Sequence, residues 1–527
     1  MRVLLVEPDY RKRRHQRAAP EPDAAWARPD DATLWYPPLG LMKLSRLHKA
    51  RGDTVRFVRG CDSSIFQGGN LFRSAHLWDR VYITTVFTYH FKLVINTIRF
   101  YLDAVGGTVS RLYVGGIMAS LMARQIHNET GVSPVVGVLN SPRQIGLAGS
   151  SDIDLLPPDY GLVDSTLYAI NDTYYAYTTR GCTNKCPWCG VARIEPAFVP
   201  YMDITPIIRT LRDDYGDKAK LKLMDNNVLA SPHLGRIVDD LLELGYGRGQ
   251  YTRTHPKKQR SVDFNQGLDA TLLTEEKMRL LSRLNVRPIR IAFDRATEKR
   301  DYTRALGLAK AHGVKLFSNY MLYNFHDTPR DLYERLLVNV RLNEEWVAAE
   351  PGRLAGKIYS YPMRFAPIEN SDGDGGNRNR EAANPDKKRH RDWLTEPAWT
   401  RRFTRSVAVM TGAAHGAISP TPTLARRTIG DTFEEFLANL YMPEELLRNR
   451  NKHETRVYPN EPKRRPGTGK IEEFRSFILG LLRQQDDRFE TFHTAVSPNT
   501  AAAIRACLKT LPDPEMKKWL RFYLKRH

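Results

Sequence analysis

Three cysteines sit within eight residues of one another: Thr179-Arg180-Gly181-Cys182-Thr183-Asn184-Lys185-Cys186-Pro187-Trp188-Cys189-Gly190, a C-x3-C-x2-C spacing. Thiolates so spaced bind metal. Three of them can hold three irons of a cubane cluster and leave the fourth iron without a protein ligand. Iron–sulfur clusters normally take four cysteines, so the missing fourth points to an iron kept for another ligand. A structural zinc site is the alternative, and it asks for four protein ligands. No further Cys or His follows Cys189 within the next several residues. Cys61 and Cys507 stand alone and read as isolated, partly buried thiols. An odd count of five cysteines, with too short an apolar run before Glu7 for a secretory leader, argues against a disulfide framework.

The loop with its preceding strand, Tyr177-Thr-Thr-Arg-Gly-Cys182 through Gly190, resembles the signature of the radical SAM superfamily, including the aromatic Trp188 before the third cysteine. The resemblance covers roughly residues 170–368. It implies a [4Fe–4S] cluster on Cys182, Cys186 and Cys189, with S-adenosylmethionine chelated to the open iron. One electron, delivered by a flavodoxin- or ferredoxin-type donor, then cleaves the sulfonium. The products are methionine and a 5′-deoxyadenosyl radical that abstracts a substrate hydrogen. The protein positions the reactants and excludes water.

Other segments acquire expectations from this resemblance. Leu221-Lys-Leu-Met224-Asp225-Asn226-Asn227 ends a strand where the family usually carries a Gly-Gly-Glu-like segment for the methionine amino group. Here Asp225 comes first, Asn226 second, and Asn227 completes the group, because carboxylate and amide oxygens accept hydrogen bonds from an ammonium. The competing reading is a plain Asp/Asn turn. Asp294 ends another strand and either meets a ribose hydroxyl or caps the following helix. Asn319 and Tyr361 are expected to line the cofactor. Asn265, Gln266, Asp269 and Arg364 are the candidate substrate contacts.

The elements that must position these residues are α/β in pattern. Residues 2–6, 54–58, 80–84 and 112–114 read as strands separated by helical stretches, an open parallel, Rossmann-like sheet. Residues 1–150 form this first domain. Pro37-Pro38-Leu39-Gly40-Leu41 and Val114-Gly115-Gly116 resemble the cobalamin-binding-like domain that precedes many radical SAM cores. The Asp-x-His-x-x-Gly motif is absent, and cobalamin is left open. Six further strands, at 175–179, 220–224, 262–265, 288–293, 315–322 and 357–361, predict a central partial (β/α)6 barrel over 165–368. Such barrels do chemistry at the C-terminal ends of their strands. Residues 369–391 read as a flexible polar and basic linker, and 392–527 as a basic helical region. There Phe433, Phe436, Leu437 and Leu440 keep helical spacing behind a Thr432…Glu435 capping box, and Phe474, Phe477, Ile478 and Leu481 repeat it.

The chain has 527 residues, 41% hydrophobic, which is enough to bury real cores, and a net charge of +21. No apolar run approaches the ~18 residues of a membrane span, so the expected setting is cytoplasmic with no membrane. Four basic clusters, Arg11–Arg14, Lys257-Lys258-Gln-Arg260, Lys387–Arg391 and Lys463-Arg464-Arg465, suit a nucleic-acid partner or a solvated face. Two rival functions follow: a cobalamin-dependent methyltransferase on the same core, and a non-catalytic nucleic-acid-binding protein with a structural metal site.

Overall fold

The computed structural model describes residues 1–10, 35–66, 78–350, 356–365, 398–412, 416–457, 465–484 and 487–525. The polar linker at 369–391, the basic clusters Arg11–Arg14 and Lys387–Arg391, and Lys463 and Arg464 lie outside them. The chain is mixed α/β with three parallel sheets and divides into two compact units. The first unit takes Met1–Gln266 and Arg279–Val286; the second takes Gly267–Met278, Arg287–Ala366 and Arg391–His527.

The first unit opens with β1 (Arg2–Glu7), β2 (Thr54–Arg59), β3 (Arg80–Thr85) and β4 (Leu112–Gly116), all parallel in the order β2-β1-β3-β4. Both faces are covered, as parallel sheets require. Val3 and Leu5 pack with Leu41, Leu44 and Leu47 of α1 (Leu39–Ala50). Leu4 and Val6 turn to the opposite face, against Val94, Ile95 and Ile98 of α2 (Phe91–Ala104). The period-2 alternation of β1 thus splits its side chains between two cores.

The strand reversal point between β1 and β3 is where open α/β sheets hold ligands. Here Tyr10, only 5% exposed, fills that edge. Its ring lies 5.3 Å from Phe87 and 5.2 Å from His90, and its hydroxyl accepts the Val86 N–H at 3.3 Å. Gly116 has a φ of 106°, and a Cβ there would stand 2.3 Å from the Thr85 carbonyl oxygen. Its close approach is to its own sheet.

A second sheet of the first unit contains β5 (Thr173–Ala176), β6 (Lys220–Leu223) and β7 (Ser261–Phe264), paired in that order and parallel. Helices α3 (Thr205–Tyr215) and α4 (Leu234–Glu243) connect them, each burying one apolar stripe. The second unit carries β8 (Ile289–Arg290), β9 (Leu316–Tyr323) and β10 (Lys357–Arg364), in the order β10-β9-β8. The six core strands expected from the sequence therefore form two three-stranded sheets. Helix α5 (Pro329–Ala349) packs on β9 and β10.

The C-terminal part of the second unit is helical. Phe433–Tyr441 is a helix whose N-cap Thr432 hydroxyl accepts the Glu435 N–H, while the Glu435 carboxylate turns to the Asp431 N–H instead of closing the box. In Lys470–Gln484, Phe474, Phe477, Ile478 and Leu481 are all buried, as their spacing requires. Among the described residues no helix is long and apolar enough to cross a membrane.

Candidate functional site: a cysteine loop at the ends of β5 and β6

β5 is buried along its whole length and delivers the chain to Tyr177. Arg180 then pairs backbone to backbone with Val199 (N–H to O 3.0 Å, returned at 2.9 Å), closing the cysteine-bearing stretch at its base. Gly181 inside that closure has a φ of 73°, and a Cβ would meet the Ala197 carbonyl oxygen at 2.4 Å. Only glycine suits a left-handed backbone at so close an approach.

The base of the loop is held by charge. Arg180 donates Nε to Asp154 Oδ2 at 2.8 Å and Nη2 to Asp154 Oδ1 at 2.6 Å, and Nη1 to Glu195 Oε1 at 2.8 Å. Its guanidinium lies 3.4 Å from the centre of the Tyr177 ring. Lys43 of α1 reaches the same Asp154 Oδ1 at 2.7 Å. Burial would raise the Asp154 pKa, but the Arg180 hydrogen bonds and the Lys43 and Arg180 charges hold it at about 2. Glu195 also accepts Gly181 N–H at 2.6 Å and Asn226 Nδ2 at 2.8 Å, tying the loop's entry to the end of β6.

Cys182 and Cys186 are half-buried, Cys189 is exposed, and none forms a disulfide. Among the described residues no three His, Cys, Asp or Glu side chains are gathered as a ready metal site. The sulfurs nevertheless receive N–H groups: Asn184 N–H to Cys182 Sγ at 3.3 Å, Val191 N–H to Cys189 Sγ at 3.5 Å, and Asn227 Nδ2 to Cys182 Sγ at 3.6 Å. Such donors stabilise the thiolate form that ligates metal.

Asp225, 1% exposed, uses one oxygen as a staple. Its Oδ1 accepts the Thr178 and Thr179 N–H groups (2.9 and 2.5 Å) and both hydroxyls (2.7 and 2.8 Å), locking the end of β5 to that of β6. Its Oδ2 is buried with no hydrogen-bond partner, as is Asn227 Oδ1. Burial pushes the Asp225 pKa up, against those four donors. Asn227 also touches Cys182 Sγ, and Asp225 fixes the Thr178-Thr179 stretch that leads into the loop. Two buried acceptor oxygens without donors, next to a thiolate-bearing loop, therefore suit a ligand that brings an ammonium.

In the first unit, Asn265 Oδ1 accepts the Tyr36 hydroxyl at 3.0 Å, and Gln266 follows it at the C-terminal edge of β7. Lys257, Lys258 and Arg260 lie at the N-terminal edge of that strand, the opposite end of the sheet from the cysteine loop. Arg260 is buried, gripping both oxygens of Asp217 at 2.7 Å.

In the second unit, Asp294 Oδ1 accepts the Leu322 N–H at 2.9 Å and caps no helix; Glu298 receives the Asp294 and Arg295 N–H groups instead. Burial raises the Asp294 pKa to about 6, with Arg335 opposing. Arg335, 1% exposed, gathers the Phe293, Asp294 and Leu322 carbonyls and the Asp327 carboxylate (2.7 Å). Asn319 faces α5: Asn339 Nδ2 donates to its Oδ1 at 3.2 Å and to Ser360 Oγ at 2.8 Å. Tyr361 lies on the other face of the sheet, paired with Tyr320 (centroids 5.8 Å), and Tyr320 accepts Arg290 Nη1 at 3.3 Å. Asp269 holds a turn through Thr271, whose N–H and hydroxyl reach its Oδ1 at 2.9 and 2.6 Å. Arg364 ends β10, half-buried.

The sequence reading missed Asp154, Glu195 and Lys43 around the loop. Glu195 alone had a local signal, an acidic residue six positions after Cys189.

No family model and no curated protein matches this chain. Among solved structures it is similar to the apo form of a cobalamin-dependent S-adenosylmethionine radical enzyme, OxsB, at a TM-score of 0.44 and 12% identity, over 99% of this chain and 70% of that one. It is also similar to HydG, a maturase of the [FeFe]-hydrogenase, at a TM-score of 0.28 and 11% identity, over 67% of this chain and 83% of that one.

Proposed function

We propose that this chain is a radical SAM enzyme with Cys182, Cys186 and Cys189 as ligands of a [4Fe–4S] cluster. The observation that carries the reading is the C-x3-C-x2-C loop beside two orphaned acceptor oxygens, Asp225 Oδ2 and Asn227 Oδ1. When bound, the cluster held by Cys182, Cys186 and Cys189 would supply one-electron reductive cleavage of S-adenosylmethionine and the radical chemistry that follows from it.

The chain's residues do the rest. Asp225 and Asn227 accept the methionine ammonium. Glu195 and Arg180 hold the loop in register with β6. Asn226, whose amide is committed to Glu195, acts through that bond. Tyr361 and Asp294 are further candidates for the nucleoside part, and Asn265, Gln266, Asp269 and Arg364 for the substrate. A flavodoxin- or ferredoxin-type donor is the partner this reading requires. Tyr10, Phe87 and His90 cluster at the C-terminal edge of the first sheet, and no step is assigned to cobalamin.

Anaerobic reconstitution with iron, sulfide, a reductant and S-adenosylmethionine should release 5′-deoxyadenosine, and Cys186→Ala should abolish it. Full product release by the variant would refute the assignment.

A further inference from the structure

Asn227 is a side chain from outside the loop that reaches a cysteine sulfur. Its Nδ2 donates to Cys182 Sγ at 3.6 Å, and the residue is 3% exposed. Two further N–H groups at sulfur, from Asn184 and Val191, are backbone contacts two residues from their cysteines. They come with the loop's turns and belong to any side chain there. Asn227 belongs to the stretch after β6, and its backbone carbonyl starts the next turn by accepting the Ala230 N–H at 3.2 Å. Its position is therefore set independently of the cysteines. The reverse amide orientation would set Oδ1 against the sulfur.

A hydrogen bond to a ligand sulfur is stronger when that sulfur carries more negative charge. Reduction adds an electron that cluster and thiolate sulfurs share, so the bond favours the reduced state and raises the potential. We propose that Asn227, besides offering its acceptor oxygen, sets the reduction potential of the cluster through its N–H···S bond to Cys182. This rests on the cluster reading above and goes beyond it: the reading needs three ligands, whereas this assigns the tuning of their electron affinity to one amide.

The test is an EPR-monitored redox titration of the reconstituted full chain without substrate, comparing wild type with Asn227→Leu, Asn227→Asp and Asn227→His. Leu is close in size and removes the donor. Asp removes it and adds a negative charge. His can restore an N–H. Iron content and thermal midpoint report assembly and folding separately. The Leu variant should keep its iron and titrate at a more negative potential, by about tenfold in the reduced-to-oxidised ratio, or ~59 mV for one electron. Asp should fall further, and His should recover part of the shift. Equal potentials in wild type, Leu and Asp proteins would overturn the proposal. So would folded Leu and Asp variants that take up no iron, since Asn227 would then serve assembly. A wild-type chain that takes up no cluster would instead refute the proposed function.

Discussion

Arg180 and Asp154 form a two-pronged ion pair, Nε to Oδ2 at 2.8 Å and Nη2 to Oδ1 at 2.6 Å, with side chains 13% and 7% exposed. Lys43 shares the same carboxylate. One buried anion thus joins α1 of the first sheet to the base of the cysteine loop. Removing one partner of such a pair leaves the others charged and buried, at a cost of about 3–5 kcal/mol. Asp154→Asn should lower stability by that amount in urea unfolding near neutral pH.

Acid should reproduce part of that loss. Asp154 stands at about 2 in the folded chain, below its ordinary 3.8. A depressed carboxylate contributes stability that is present above its unfolded value and disappears as pH falls from about 4 to about 2. The difference amounts to ~2 kcal/mol. The Asp154→Asn variant should lack this component of the acid transition.

Asp294 predicts the opposite sign. Burial lifts it to about 6 from 3.8. The folded chain holds that proton better than the unfolded one, so stability is highest below about 4 and declines as pH rises to about 6. Asp294→Asn keeps an oxygen for the Leu322 N–H and removes the ionisation. It should be more stable than wild type at pH 7.5, by up to ~3 kcal/mol, and indistinguishable near pH 4. Denaturant midpoints at the two pH values decide this.

Gly181→Ala should cost more than ~2 kcal/mol, because the left-handed backbone penalty of about 1–2 kcal/mol is joined by a clash with the Ala197 carbonyl oxygen. Gly131 also has a left-handed backbone, φ 71° and ψ −4°, but has open space where a Cβ would go. Gly131→Ala should show the backbone penalty alone. Thermal midpoints compare the two, and iron uptake should drop only in the Gly181 variant.

The strands of this fold were legible because short apolar runs alternate with amphipathic helical stretches. β1, β6 and β9 appear within one residue of their expected ends. The cysteine loop was legible from spacing alone. What surrounds it was not: Lys43, Asp154 and Arg180 are separated by 111 and 26 residues, and no local pattern announces a shared carboxylate. Strand facing was equally hidden. Asn319 and Tyr361 both sit on polar, aromatic-rich strands, yet one faces α5 and the other the opposite side, because pairing sets Asn319 beside Ser360 and Tyr361 beside Tyr320.

Asp225 should separate folding from ligand binding. Asp225→Ala deletes the acceptor of four hydrogen bonds and should destabilise the chain by several kcal/mol. Asp225→Asn retains Oδ1 for the Thr178 and Thr179 groups but replaces the orphaned Oδ2 with a donor. It should fold, and should bind S-adenosylmethionine at least tenfold more weakly in anaerobic equilibrium dialysis of the reconstituted protein.

The most direct measurement is iron and acid-labile sulfide per chain after anaerobic reconstitution, read with the EPR spectrum of the reduced sample. About four of each per wild-type chain, with S-adenosylmethionine altering the spectrum and Cys182→Ala losing both metal and signal, is the predicted result. Zinc without sulfide, or an undiminished cluster in the Cys182→Ala chain, would contradict it.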